Sequence, residues 1–99
     1  MNPPSSSGIV KRISAVVEGR VQGVGFRYFA RSRAQHYGLT GWVRNLADGN
    51  VEFEAQGAGD KVNAFLAEIR NGPALSYVSD VKTHDLPVEE REEGFEITF

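Results

Sequence analysis

The sequence contains no cysteine, which excludes disulfides, thiolate metal sites and cysteine nucleophiles together. Its two histidines, His36 and His84, are too few for a histidine-rich metal cluster. No apolar run is long enough to span a bilayer. The opening Met1-Asn2-Pro3-Pro4-Ser5-Ser6-Ser7-Gly8 is polar, with no apolar stretch of the kind that marks an export signal. These absences predict a cytoplasmic protein with no membrane contact and no metal.

What remains is an ordinary globular composition, 40% hydrophobic and 24% charged over 99 residues, enough for one domain. Residues 1–8 read as a flexible tail and residues 9–99 as the domain. The formal net charge of -2 conceals an asymmetry. Lys11, Arg12, Arg20, Arg27, Arg31, Arg33 and Arg44 face a single acid, Glu18, up to position 44, whereas acids dominate from Asn45 onward. Positive charge gathered in the first half suits an anionic ligand there, although a solvated helix face has the same signature.

Hydrophobic periodicity orders the chain. Ile13, Ala15 and Val17 alternate with Ser14 and Val16 in a strand over about 12–18. Phe26, Phe29, Ala30, Arg33 or Ala34, and Tyr37 form one stripe of a helix closed by Gly38. A strand over 41–46 leads through Ala47-Asp48-Gly49-Asn50, a tight hairpin signal, into a third strand. There Val51, Phe53 and Ala55 oppose Glu52, Glu54 and Gln56. Asp60 reads as the N-cap of a second helix carrying Val62, Phe65, Leu66 and Ile69, which Asn71-Gly72-Pro73 ends. A fourth strand over 77–84 follows, then an acidic run at 89–93 that reads as a solvated loop. Phe95, Ile97 and Phe99 close the chain as a short extra strand. The order is βαββαβ, an α+β ferredoxin-like sandwich with two helices on one face of an antiparallel sheet.

That topology sets the first and second strands parallel, with the third between them. The segment Gly19-Arg20-Val21-Gln22-Gly23-Val24-Gly25 and Asn45 then share one end of the sheet. The segment joins a strand directly to a helix N-terminus, where unpaired N–H groups and the helix dipole favour an anion. Gly19, Gly23 and Gly25 permit the dihedrals that turn successive amides inward. Arg27, in the first helical turn, brings a planar fork of donors to two phosphate oxygens. Neither the Gly-Lys-Ser/Thr of a nucleotide-triphosphatase loop nor the third glycine of a dinucleotide fingerprint is present.

Gly19 to Arg27, ending Gly-Val-Gly-Phe-Arg, resembles the first signature of the acylphosphatases. Gly41-Trp42-Val43-Arg44-Asn45-Leu46-Ala47-Asp48-Gly49-Asn50-Val51, with Gly57 beyond it, resembles the second. The likeness runs from about Arg12 to Phe99. It implies the same sandwich and hydrolysis of the carboxyl–phosphate anhydride of a small acyl phosphate, without cofactor and by a monomer. The family's phosphate-binding arginine falls on Arg27 and its water-positioning asparagine on Asn45. The phosphate-binding stretch becomes Arg20, Val21, Gln22, Gly23, Val24, Gly25 and Phe26, with Arg20 facing solvent and adding charge. Two departures are the N-terminal segment and Thr98 before Phe99, where relatives often carry a basic residue and a tyrosine. Neither touches the motifs.

The chemistry is self-consistent. A carboxylate, whose conjugate acid has a pKa of about 4, leaves without a general acid. The loop accordingly offers charge neutralisation and a side-chain amide, and no acid, histidine or thiol. Two rivals share the strand and helix order. An RNA-binding module would stack bases on aromatics of the third strand, but the outward positions here are Glu52, Glu54 and Gln56, whose carboxylates repel phosphate. A metal carrier would need a Cys-x-x-Cys loop. No nucleic-acid partner is expected.

Overall fold

The structure is a computed structural model that describes residues 9–99; the expected tail, 1–8, lies outside the described residues. The elements are β1 (Val10–Arg20), α1 (Phe26–His36), β2 (Thr40–Asn45), β3 (Val51–Ala58), α2 (Gly59–Asn71), β4 (Tyr77–Leu86) and β5 (Phe95–Ile97). They build one sheet in the order β4-β1-β3-β2-β5. β3 is antiparallel to both β1 and β2, so β1 and β2 run parallel, as the sequence order demands. β5 adds a short parallel pairing to β2, which makes the sheet mixed.

The inner face follows the alternation. Ile13, Ala15 and Val17 of β1 stand opposite Ala55, Phe53 and Val51 of β3, and all six are buried. Val62, Phe65 and Ile69 of α2 are fully buried, and Phe65 packs edge-on against Phe53 with ring centroids 5.3 Å apart. Phe26, Ala30 and Ala34 of α1 complete the core. Ala34, not Arg33, takes the buried position. Arg33 instead reaches across to α2, where its Nε donates to Glu68 at 2.7 Å.

Three expectations change. Asp60 does not cap α2: the N-cap is Ala58, with no side-chain cap bond, and Asp60 sits in the first turn, where its carboxylate suits the helix dipole. Gly19 belongs to β1, beside a register shift against β4; a Cβ there would fall on the Tyr77 carbonyl oxygen, so close strand approach requires this glycine. The acidic run is not wholly solvated. Arg12 emerges on the outer sheet face at 3% exposure, with Glu54 on the neighbouring strand. Its guanidinium donates to both carboxylate oxygens of Glu92, at 2.8 and 3.0 Å, and to Glu54 at 3.0 Å. Gln56 fastens the same loop by exchanging hydrogen bonds with the backbone of Glu89. A buried guanidinium needs such partners, and 87–94 is drawn over the sheet to supply one.

Candidate active site

β1 ends at Arg20, and the next five residues turn the chain into α1. Gly23 has φ 73° and Gly25, the N-cap of α1, has φ 76° and ψ 19°. Both lie in the left-handed region, where a Cβ is strained. No side chain caps α1 and no acid occupies its first turn, so the orphan N–H groups and the positive end of the dipole are left for something else.

Across from this terminus stands the end of β2. A cavity of about 210 Å³ lies between them, lined by Val21, Gly23, Gly25, Phe26, Arg27, Tyr28 and Asn45. The topology thus brings Arg27 and Asn45 to one concavity from different elements. Arg27 is half-buried and makes no hydrogen bond or ion pair among the described residues. Asn45 Oδ1 is buried with no hydrogen-bond partner, and no other buried side-chain polar atom among the described residues shares that condition. A buried acceptor left open costs free energy, which is the usual mark of a group reserved for a ligand or solvent.

The remaining loop residues divide. Val21 and Phe26 line the cavity from the core, at 1% and 2% exposure. Gly23 and Gly25 line it with backbone. Arg20, Gln22 and Val24 lie outside the lining. Arg20 is an exposed strand residue paired with Tyr77, and Val24 packs on the core. Gln22 has a different partner set from the one its motif suggests: Nε2 donates to Leu46 O at 2.7 Å and to Asn50 O at 2.8 Å. Both N–H groups of the amide are therefore spent on the hairpin that follows Asn45. That hairpin closes on itself through Leu46 N to Asn50 O at 2.8 Å, and the Asp48 side chain accepts from Asn50 N at 3.0 Å.

From the sequence alone Tyr28 reads as a packing residue of the helix. The structure puts it on the rim of the cavity, 62% exposed, with the Arg31 guanidinium carbon 5.4 Å from its ring centre. The signal was available, because Tyr28 falls off the apolar stripe of α1. Arg44 points away from the site and pairs with Glu52 at 2.7 Å, as strand alternation requires. Among the described residues, no three histidine, aspartate or glutamate side chains cluster as metal ligands, and no helix is long and apolar enough to cross a membrane.

The acylphosphatase family model matches residues 13–97. An acylphosphatase of Clostridium beijerinckii is 49% identical over 88 residues, covering 89% of this chain and 98% of the relative. One from Bifidobacterium longum is 49% identical over 83 residues, covering 84% of each. The crystal structure of acylphosphatase from Bacillus subtilis superposes with a TM-score of 0.87 at 36% identity, covering 92% of this chain and 100% of that one. Both signature segments fall inside the matched span, and this chain belongs to the acylphosphatase family.

Proposed function

We propose that the cavity between α1 and the end of β2 is where this chain hydrolyses acyl phosphates, with Arg27 and the first-turn amides of α1 holding the phosphoryl group and Asn45 directing water at it. The observation that carries this reading is the meeting in one cavity of a helix N-terminus with no side-chain cap and of a guanidinium and a carboxamide oxygen that have no partner among the described residues. Family membership supports the reaction: the carboxyl–phosphate anhydride gives a carboxylate and inorganic phosphate.

Each part has a physical task. The phosphoryl oxygens accept from the N–H groups around Gly23 to Arg27 and from the guanidinium, whose fork matches two oxygens at once. These donors stand in place before the substrate arrives, so they stabilise equatorial charge in the transition state without reorganising. Among the described residues the Asn45 Oδ1 has no internal partner, so it is open to accept a hydrogen bond from a water. Held in line, that water forms the new P–O bond as the anhydride P–O bond breaks. The electron pair leaves on the carboxylate, and a water proton passes to a phosphate oxygen. Asn45 orients and cannot act as a base. The Gln22 side chain braces the hairpin, which leaves its backbone N–H as the group it can offer the anion.

The site is complete within one chain, which supports action as a monomer, and a chain without cysteine is suited to cytoplasmic work. Purified protein should hydrolyse benzoyl phosphate equally well with and without a chelator, and should not hydrolyse an alkyl phosphate monoester, whose alkoxide needs an acid or metal to leave. Chelator-sensitive turnover would overturn the unassisted chemistry.

A further inference from the structure

We infer that Tyr28 is the specificity-determining residue for the acyl half of the substrate, giving the site a preference for acyl groups with a flat apolar face over short ones such as acetyl. The inference rests on the reading that the cavity binds the phosphoryl half of an acyl phosphate, and it concerns what happens at the cavity's rim.

A phosphoryl group seated on the α1 terminus leaves the acyl group to emerge from the mouth of the cavity, opposite the attacking water. The lining side chains that can meet it are few. Val21 and Phe26 are buried at 1% and 2% exposure and are committed to the core. Gly23 and Gly25 line the cavity with backbone and have no side chain to meet it. Arg27 and Asn45 are assigned to the phosphoryl group and the water. Tyr28 is what remains: an aromatic ring on the rim, 62% exposed.

The ring is also held. Arg31 lies one turn further along α1, and its guanidinium carbon is 5.4 Å from the ring centre, a cation–π arrangement that costs the ring little further entropy when a ligand stacks on it. A tyrosine ring presents a large apolar surface at low conformational cost, which suits it as a platform. An aromatic or otherwise flat acyl group gains contact there, and acetyl is too small to cover it. Because the ring touches the acyl group before and during phosphoryl transfer alike, its contribution appears in KM more than in kcat.

The experiment compares kcat/KM for benzoyl phosphate and acetyl phosphate in wild type, Tyr28→Phe and Tyr28→Ala, with inorganic phosphate as a competitive inhibitor in each. The benzoyl-to-acetyl ratio should fall about three- to tenfold in Tyr28→Ala, through KM, and should hold in Tyr28→Phe, which keeps the ring. The inhibition constant for phosphate should stay the same in all three, because the phosphoryl seat is separate. An unchanged ratio in Tyr28→Ala, or an equal loss on both substrates, overturns the assignment. Wild-type protein inert towards both substrates would bring down the acyl-phosphate reading as well, and the wild-type arm alone reports that.

Discussion

Arg12 and Arg27 are two arginines of one small domain in opposite circumstances. Arg12, on the outer sheet face, is buried and donates to Glu54, Gln56 and both oxygens of Glu92. Arg27, at the α1 end, lines an open cavity and pairs with nothing among the described residues. The same contrast holds for the neighbouring amides: Gln56 exchanges two hydrogen bonds with Glu89, while Asn45 has a buried oxygen with no partner. A satisfied charge stabilises a fold and is closed to ligands. An unsatisfied one costs stability and is open to chemistry. The two ends of this sheet divide those tasks.

The contrast breaks most visibly at Arg27. Arg27→Ala should lower kcat about a thousandfold, the scale of a lost transition-state charge contact, while the melting temperature stays within a few degrees because Arg27 makes no bond among the described residues. Arg27→Lys should recover little, since an ammonium lacks the fork. Next comes Asn45→Ala, expected to lower kcat about a hundredfold with a smaller change in KM, and to leave stability equal or raised because an open acceptor is removed. Turnover with benzoyl phosphate and thermal melts on the same samples separate these effects.

The opposite pattern belongs to Arg12. Arg12→Ala should cost about 2–3 kcal/mol in urea unfolding, less than a fully buried pair because its carboxylate partners remain partly exposed, with benzoyl phosphate turnover per folded molecule retained. The smallest effect is on acid sensitivity. The hydrogen bond from Arg12 holds the Glu92 carboxyl below its ordinary pKa, against the opposing pull of burial. A carboxyl with a lowered pKa in the folded state binds fewer protons there than in the unfolded chain. Its stabilisation is therefore present above the ordinary carboxylate value and is lost as pH falls through the lowered one. Glu92→Gln should flatten that part of the acid limb of stability against pH. The part due to Glu68, lowered by Tyr37 and Arg33, should remain.

Much of this was legible because it is local or periodic. Alternation in Val51, Phe53 and Ala55 and the helical spacing of Val62, Phe65 and Ile69 carried the fold, and the glycines flanking the α1 terminus carried one half of the site. Topology then brought Asn45 to the other half. What escaped depends on register and reach. Arg12 and Glu92 are 80 residues apart, and nothing at either position announces the other. Gln22 stands inside a motif that suggests phosphate contact, and nothing in that motif announces that two backbone carbonyls of a distant hairpin claim its side-chain amide. Gly19 reads as part of the cradle because it stands in the same glycine-rich motif. Only the pairing of β1 with β4 shows that it makes room for a strand.

The Gln22 bracing has a kinetic meaning. A single amide fastens the loop between β1 and α1 to the turn that follows Asn45, so the two walls of the cavity are tied together within the chain. On the proposed reading, a cavity whose two walls are tied in this way needs no separate ordering step before it accepts a phosphoryl group, because the entropy of assembling it was already spent in folding.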